Sequence, residues 1–191
     1  MTVADHDRLL EGRYGNQRKP ENVIWNEHIE MLLAHRSVRT FLPDSLPEGA
    51  LETMVAAAQS ASSSSNLHHW SVVAVTDRAL KEKLTVLSGS DHFGTVHPFV
   101  NEAPVVLLWV VDNSRNHAIA SQRGALVETF DYLDSFTMGT IDTAIAAQNA
   151  VVAAEAIGLG AVYIGSMRNR SQELAELIDL LKKEPDKYSY A

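Results

Sequence analysis

The sequence predicts an α+β fold in which a sheet is covered by helices. About six segments have the periodicity of helices, three have the composition of strands, and those strands lie far apart along the chain. Helices that outnumber distant strands are typical of a layered α+β domain. The chain has 191 residues, 46% of them hydrophobic and 21% charged, which suits one domain of ordinary globular composition.

We expect three parts: an N-terminal arm over residues 1–25, a core over 26–181 and a charged tail over 182–191. The arm contains two glycines and a proline and shows little periodicity. Its polar, mixed-charge start does not resemble a secretory signal, and no apolar run in the chain is long enough to cross a bilayer. We therefore predict a cytoplasmic protein without a membrane partner.

The formal net charge of −8 and the absence of cysteine restrict the functions open to the chain. An acidic surface repels phosphate backbones, so we expect no nucleic-acid partner. Any anion must be held by a local cluster of arginines and backbone N–H groups. Without cysteine there can be no disulfide, thiolate metal site, iron–sulfur cluster or cysteine nucleophile.

Six segments have helical periodicity. Asn26 and Asp77 are good N-caps, and Pro47 suits the first turn of a helix. One segment is rich in alanine, so neighbouring elements can approach it closely, and we expect it to be the central buried helix, ended by Gly158. The predicted helices are Asn26 to Ala34, Pro47 to about Ala61, the segment from Asp77 to Leu87, His117 to Leu133, Thr140 to Ile157, and Ser171 to about Leu181.

Three segments read as strands because they are short, apolar and rich in β-branched residues. They are Trp70 to Thr76, Ala103 to Val111 and Ala161 to Ile164. Between the first two strands and after the helix that follows Asp77, Ser88 to Glu102 is predicted to be a loop.

The first candidate site is the basic turn after the first core helix, with His35, Arg36, Ser37 and Arg39 within five positions. Guanidinium groups suit phosphate because they offer a planar fork of donors. The alternative is a solvated turn whose cations complement the negative end of a helix. The residues alone favour that alternative.

The second candidate site is the serine loop, Ser62 to Asn66. Its hydroxyl and amide groups could meet the polar edge of a ring or a polyol chain. The alternative is a flexible linker, since serine runs often serve as one.

The third candidate site is the glycine-containing segment from Gly158 to Ser166. Glycine lets the main chain approach another group closely because no side chain intervenes. A helix cap explains Gly158 fully, but it explains Gly165 less well.

Other common sites receive little support. His68, His69, His92 and His97 lie in predicted loops, but no carboxylate stands at a diagnostic metal-ligand spacing from them. The sequence contains no G-x-S-x-G elbow, no dinucleotide-binding glycine fingerprint and no P-loop. A histidine metal protein therefore remains a minor alternative.

Taken together, these segments resemble the nitroreductase family of FMN enzymes, and most closely its NADPH-using oxygen-insensitive branch. The resemblance rests on three motifs in family order: HRSVRTF at His35 to Phe41, SASSSSNLHHWSVVAVTD at Ser60 to Asp77, and IDTAIAAQNAVVAAEAIGLGAVYIGSMRN at Ile141 to Asn169. It extends from Trp25 to about Leu181. It implies a dimeric layered fold with a central, mostly antiparallel sheet covered by helices.

The resemblance also implies roles for particular residues. The basic turn would contact the phosphate and the flavin, the serines would meet the flavin across the dimer interface, and the segment after the central helix would face the isoalloxazine near N5. The implied residues are His35, Arg36, Ser37 and Arg39 in the first motif, Ser63, Ser64 and Ser65 in the second, and Tyr163, Ile164, Gly165 and Ser166 in the third. No side chain is then needed as a catalytic acid or base, because the flavin performs the redox chemistry.

The function implied is an FMN-dependent oxidoreductase acting as a homodimer. Hydride from NADPH or NADH would pass to a small-molecule acceptor, such as a nitroaromatic, a quinone or a flavin, by a ping-pong mechanism. The alternative is a non-catalytic or truncated flavin-binding or structural homologue. That alternative rests on the C-terminus, because family members usually continue past the helix at Ser171 with a further strand and an arm. The chain also departs from the branch at three other places, Asp91, His68 and Ser166.

Overall fold

The computed structural model describes residues 3–89, 96–126 and 128–182. Its helices and strands follow in chain order, with 3₁₀ turns at Ser64–Asn66, Glu128–Asp131 and Gly165–Arg170. The elements are α1 (Val3–Tyr14), α2 (Glu27–Ala34), α3 (Ala50–Gln59), β1 (Trp70–Val75), α4 (Arg78–Leu87), α5 (Phe99–Glu102), β2 (Val106–Val111), α6 (Ser114–Gln122), α7 (Leu133–Ala156) and α8 (Ser171–Lys182).

The two strands pair antiparallel, in a register that runs from Trp70 opposite Val111 to Val75 opposite Val106. Successive side chains of a strand point to opposite faces, so both faces of this sheet can be covered. Helices lie on each side, and the layered α+β architecture predicted from the sequence is confirmed.

One face of the sheet packs against α3 and α7. Met54 and Ala58 of α3 join Ala146 and Ala150 of α7 in a buried cluster with Trp70. The small side chains of α7 allow this close approach. The expectation of an alanine-rich central helix is therefore confirmed.

The other face of the sheet is covered by α4, α5 and the turn before α8. The apolar stripe of α4 is buried here, and Leu84 is fully inaccessible to solvent. Asp77 caps the helix as expected, since its side chain accepts a hydrogen bond from the Leu80 amide at 2.8 Å. The members of this buried cluster are Val73, Val75, Leu80, Leu84, Leu87, Val100, Leu108 and Met167.

The central helix begins earlier than predicted, and the helix before it is shorter. α7 starts at Leu133, seven residues before the expected start at Thr140. The predicted helix from His117 to Leu133 is wrong, because α6 ends at Gln122 and Gly124 follows with a φ of +64°. That left-handed conformation ends a helix and suits glycine.

The predicted N-terminal arm contains a helix that its sequence did not predict. α1 buries Leu10, and the His6 ring stacks on Trp25 at 3.9 Å between ring centres. These contacts hold a helix whose own apolar pattern is weak. The division of the chain into arm, core and tail remains a prediction.

Three further expectations need correction. The predicted strand from Ala161 to Ile164 is a single parallel bridge between Ser37 and Ala161. The helix expected from Pro47 begins at Ala50, with Gly49 as its N-cap. The predicted loop from Ser88 to Glu102 contains the short helix α5, and its residues 90–95, with Asp91 and His92, lie outside the described residues.

In the described ranges, none of the helices combines the length and the hydropathy that a membrane crossing requires.

Candidate functional site

The basic turn follows α2 and is tied to the central helix. His35 Nδ1 lies 2.5 Å from Glu155 Oε1, so the turn is anchored near the C-terminal end of α7. Arg36 is exposed, and its Nη1 donates to the carbonyl oxygens of Leu33 and His35 at 3.3 and 2.7 Å. Arg39 is also exposed and forms no hydrogen bond or ion pair within the described ranges.

The first and third motifs meet at one backbone bridge. The Val38 amide donates to the Ala161 carbonyl at 3.0 Å, and Ser37 pairs with Ala161. Gly160 makes this approach possible, since a Cβ there would lie 2.6 Å from Val38 Cγ2. The structure thus brings together two segments about 120 residues apart in sequence, and it assigns the close approach to a glycine that the sequence analysis had not singled out.

A small cavity lies where these two motifs meet. It has a volume of about 70 Å³ and is partly open to solvent. Tyr163 is half-exposed at its edge, and burial of the rest of the ring raises the pKa of its phenol above the ordinary value. The cavity is lined by His35, Ser37, Val151, Ala161, Val162 and Tyr163.

The remaining residues of the third motif form a turn that is fixed to α4. The Ser166 hydroxyl donates to the Ser88 carbonyl at 2.7 Å, and Ile164 packs against the buried cluster beneath. Gly165 begins this 3₁₀ turn and leaves its main chain exposed. A Cβ at Gly165 would lie 3.3 Å from the guanidinium of Arg168. Only Tyr163 of the four predicted residues lines the cavity.

The serine loop is held by a buried carboxylate. Asp142 of α7 is 2% exposed and accepts hydrogen bonds from the Ser63 hydroxyl at 3.0 Å, the Ser64 amide at 3.0 Å and the Ser64 hydroxyl at 2.9 Å. Ser65 is exposed and has a φ of +52°. The hydroxyls of Ser63 and Ser64 and the Ser64 amide therefore all donate to Asp142, while Ser65 faces solvent.

The carbonyls that follow the serine loop are held by α6. Arg115 donates to the His68 and Trp70 carbonyls at 2.9 and 3.2 Å. Asp112 lies between β2 and α6. Burial tends to raise its pKa, but hydrogen bonds from Ser114 and Ser71 have the larger effect and hold the pKa of Asp112 below its ordinary value. The loop is therefore fixed at both ends.

Within one subunit, the structure does not bring the serine loop to the basic turn. Their anchors, Asp142 and Glu155, are thirteen residues apart on α7, which corresponds to about 20 Å along a helix axis. The predicted residues thus form two groups, one anchored near the middle of α7 and the other near its C-terminal end.

The central helix α7 also carries exposed apolar side chains. Four large apolar side chains of this helix are 38 to 77% exposed, and two of them, Ile141 and Ile145, are one helical turn apart and so lie on the same face. Neighbouring exposed apolar residues can form an interaction surface, and the pair Ile141 and Ile145 is called the exposed apolar face of α7. The exposed apolar residues of α7 are Leu133, Phe136, Ile141 and Ile145.

The histidines are engaged in other contacts. His69 is buried, with Nδ1 2.6 Å from Asn113 Oδ1 and its ring edge on Phe130. His68 Nε2 lies 2.9 Å from Asn66 Oδ1. Among the described residues, no group of three or more His, Asp or Glu side chains could hold a metal ion.

Sequence reasoning missed the two carboxylates that organise the site. Asp142 and Glu155 stand alone as acids in the alanine-rich stretch of α7. A carboxylate in a helix expected to be buried needs a hydrogen-bond partner. That requirement could have identified both carboxylates from the sequence.

Comparison with known proteins places this geometry in context. The model of the nitroreductase family matches residues 32–91 and 95–189. The FMN reductase (NADPH) of Bacillus subtilis is 34% identical over 154 residues, which are 80% of this chain and 59% of that protein. The oxygen-insensitive NADPH nitroreductase of Salmonella typhimurium is 38% identical over 81% of this chain and 60% of its own length.

Solved structures agree with the sequence comparison. The NfrA1 nitroreductase from B. subtilis superposes with a TM-score of 0.75 at 34% identity, over 80% of this chain and 60% of that one. The chain thus spans about three fifths of the length of the relatives that it matches. With most of its length matched by the family model, and with relatives above 30% identity over four fifths of it, the chain belongs to the nitroreductase family.

Proposed function

We propose that this protein is an FMN-dependent NAD(P)H oxidoreductase that acts as a homodimer. It would reduce nitroaromatic, quinone or flavin acceptors by a ping-pong mechanism. The observation that carries the proposal is the meeting of the basic turn and the glycine-containing segment around one cavity, through the bridge between Ser37 and Ala161. The names of the matched relatives, an FMN reductase and an NADPH nitroreductase, support the same chemistry. A cytoplasmic location remains a prediction.

The donors at the basic turn fit a phosphate group. Arg36 and Arg39 are exposed, and Arg39 has its whole guanidinium available. Arginine binds phosphate through two parallel N–H donors at fixed charge. Of the predicted residues, these two are therefore the ones that would hold the FMN phosphate.

In the described part of one subunit, the cavity between the basic turn and the glycine-containing segment is too small for the flavin ring. Ligand pockets usually measure about 300 Å³ or more, whereas the cavity here has about 70 Å³. The serine loop, which the family resemblance assigns to the ring, is anchored thirteen residues away on α7, or about 20 Å along the helix axis. A second copy would bring its own serine loop toward this cavity, and the exposed apolar face of α7 supplies the surface for that association.

When bound, FMN supplies the hydride-transfer chemistry. The chain's part is to bind and orient. Arg36 and Arg39 fix the phosphate, Gly165 leaves main chain free to approach the ring, and Asp142 keeps Ser63 and Ser64 in one conformation. No side chain of the chain needs to carry a proton in this scheme.

Flavin binding and reduction test the proposal directly. The purified protein should show flavin absorbance that NADPH or NADH bleaches without oxygen. The double variant Arg36→Ala/Arg39→Ala should bind FMN at least 100-fold more weakly, because each charge-assisted contact contributes roughly 1.5–3 kcal/mol. The control Arg8→Ala/Arg123→Ala removes the same charge from exposed positions elsewhere and should bind FMN normally.

The outcomes separate the alternatives. A yellow protein that neither nucleotide bleaches supports the non-catalytic homologue. A colourless protein that rejects added FMN overturns the proposal, and unchanged FMN affinity in the double variant overturns the phosphate assignment.

The homodimer has its own test. Ile141→Glu places a charge on the exposed apolar face of α7, so it should shift the protein toward monomer in sedimentation equilibrium and weaken FMN binding together with it. Val86→Glu, a similarly exposed apolar position on α4, is the matched control. An Ile141→Glu protein that remains dimeric would show that this face is not the interface.

A further inference from the structure

The N-terminal helix places a third arginine on the basic turn. Arg13, in the last turn of α1, donates from Nε to the Leu33 carbonyl at 2.9 Å and from Nη2 to the His35 carbonyl at 2.5 Å. Helix α1 lies ahead of the residues that the family model matches. The contact therefore joins a segment outside the matched region to the predicted phosphate site.

Arg36 uses the same two carbonyls. Its Nη1 donates to Leu33 O at 3.3 Å and to His35 O at 2.7 Å, so both contacts are longer than those of Arg13. Neither guanidinium forms an ion pair with a carboxylate in the described parts of the chain. Two positive charges thus lie close together at one pair of acceptors. A bound anion would offset the repulsion between them.

These carbonyls belong to the C-terminal end of α2, where helix carbonyls lack partners within the helix. If Arg36 turned outward to a ligand by itself, it would leave them with fewer donors. Arg13 already satisfies both. Arg36 can therefore turn away from these carbonyls without leaving them unsatisfied. Repulsion from the positive charge of Arg13 also favours the movement of Arg36 toward an anion.

We propose that Arg13 is a positioning residue, which holds the end of α2 so that Arg36 is released to bind a phosphate monoester. The inference rests on the proposed function, because FMN carries such a group. The 2′-phosphate of NADPH has the same chemistry and is the other possible source.

The test compares ligands that differ only in the phosphate. Fluorescence or calorimetric titrations would measure FMN against riboflavin, and 2′-AMP against adenosine, for wild type, Arg13→Ala, Arg13→Lys and Arg8→Ala. In Arg13→Ala we expect affinity for the phosphorylated member of one pair to fall about tenfold, or ~1.4 kcal/mol, with the unphosphorylated member unchanged. Lysine should restore part of the loss, and Arg8→Ala, on the same helix, should cause none.

The affected pair identifies the source of the phosphate, flavin or nucleotide. Arg13→Ala in an Arg36→Ala background should have little further effect, since Arg13 acts through Arg36. Equal losses for phosphorylated and unphosphorylated ligands, or a fall confined to thermal stability, would mean a merely structural contact and overturn the proposal. A wild type that binds FMN while Arg13→Ala binds it equally well, with 2′-AMP also unaffected, refutes this inference alone. A wild type that prefers neither phosphorylated ligand refutes it together with the proposed function.

Discussion

Replacing Asp142 with asparagine tests the anchor of the serine loop. The change keeps the size of the side chain but exchanges one acceptor oxygen for an amide that can only donate. Asp142 accepts from the Ser64 amide and from the hydroxyls of Ser63 and Ser64, all at 2.9–3.0 Å. At 2% exposure, water cannot replace a lost partner.

The magnitude follows from the number of donors. A hydrogen bond to a charged group contributes about 1.5–3 kcal/mol. Asparagine retains one acceptor oxygen, so about one of these contacts is lost and the others are weakened. We expect the free energy of unfolding to fall by about 2–4 kcal/mol, and the melting temperature by roughly 5–15 °C for a chain of this size.

Thermal unfolding followed by circular dichroism measures this change. Asp134→Asn, an exposed carboxylate on the same helix, is the control and should alter stability by no more than about 0.5 kcal/mol. Adding Ser63→Ala/Ser64→Ala to Asp142→Asn should cost less than the sum of the separate changes, because they remove the same contacts. If Asp142→Asn has the same melting temperature as the control, the carboxylate does not anchor the loop.

Three further changes test other parts of the site. Gly160→Ala would set a Cβ 2.6 Å from Val38, so it should destabilise the bridge by about 1–3 kcal/mol; an unchanged melting temperature would contradict the close approach. Glu155→Gln removes the charged partner of His35 and should weaken FMN binding several-fold in a fluorescence titration, and equal affinity would mean that the turn is held without it. The pKa of Asp112 is lowered in the folded state, so its stabilisation is present above the unfolded pKa and is lost as pH falls through the folded one. Asp112→Asn should therefore differ most from wild type in stability above about pH 4 and converge with it at lower pH, and a constant difference would refute this linkage.

Local chemistry was sufficient for much of the fold. Asn26 and Asp77 both cap the helices assigned to them, through hydrogen bonds to the amides of Ile29 and Leu80 at 2.9 and 2.8 Å. The apolar segments that became β1 and β2 were also recognised, because their β-branched residues carry a strong local signal.

The start of the central helix depends on tertiary contacts, which the local sequence does not reveal. The central helix was predicted to begin at Thr140, one residue after Gly139, and glycine disfavours helix interiors by about 0.5–1 kcal/mol. In the structure Gly139 lies inside α7, where a Cβ would stand 2.5 Å from Val111 Cγ1. The close packing of α7 on β2 requires glycine there, and this requirement is invisible without the fold.

The candidate site was predicted in its parts but not in its arrangement. The basic turn and Tyr163 do meet at one cavity, yet the serine loop is anchored near the middle of α7, away from that cavity. The anchoring by Asp142 and Glu155 does not follow from motif spacing, because it depends on which face of the helix each acid occupies.

Because Asp142 and Glu155 share a single continuous helix, the two loops they hold keep a fixed relative orientation. Inserting one residue between the two acids would rotate one loop against the other by about 100° and displace it by about 1.5 Å. The effect of a substitution between the two acids can be confined to its neighbours. An insertion or deletion would instead change the orientation of one loop relative to the other. This part of α7 should therefore tolerate substitutions far better than changes in length.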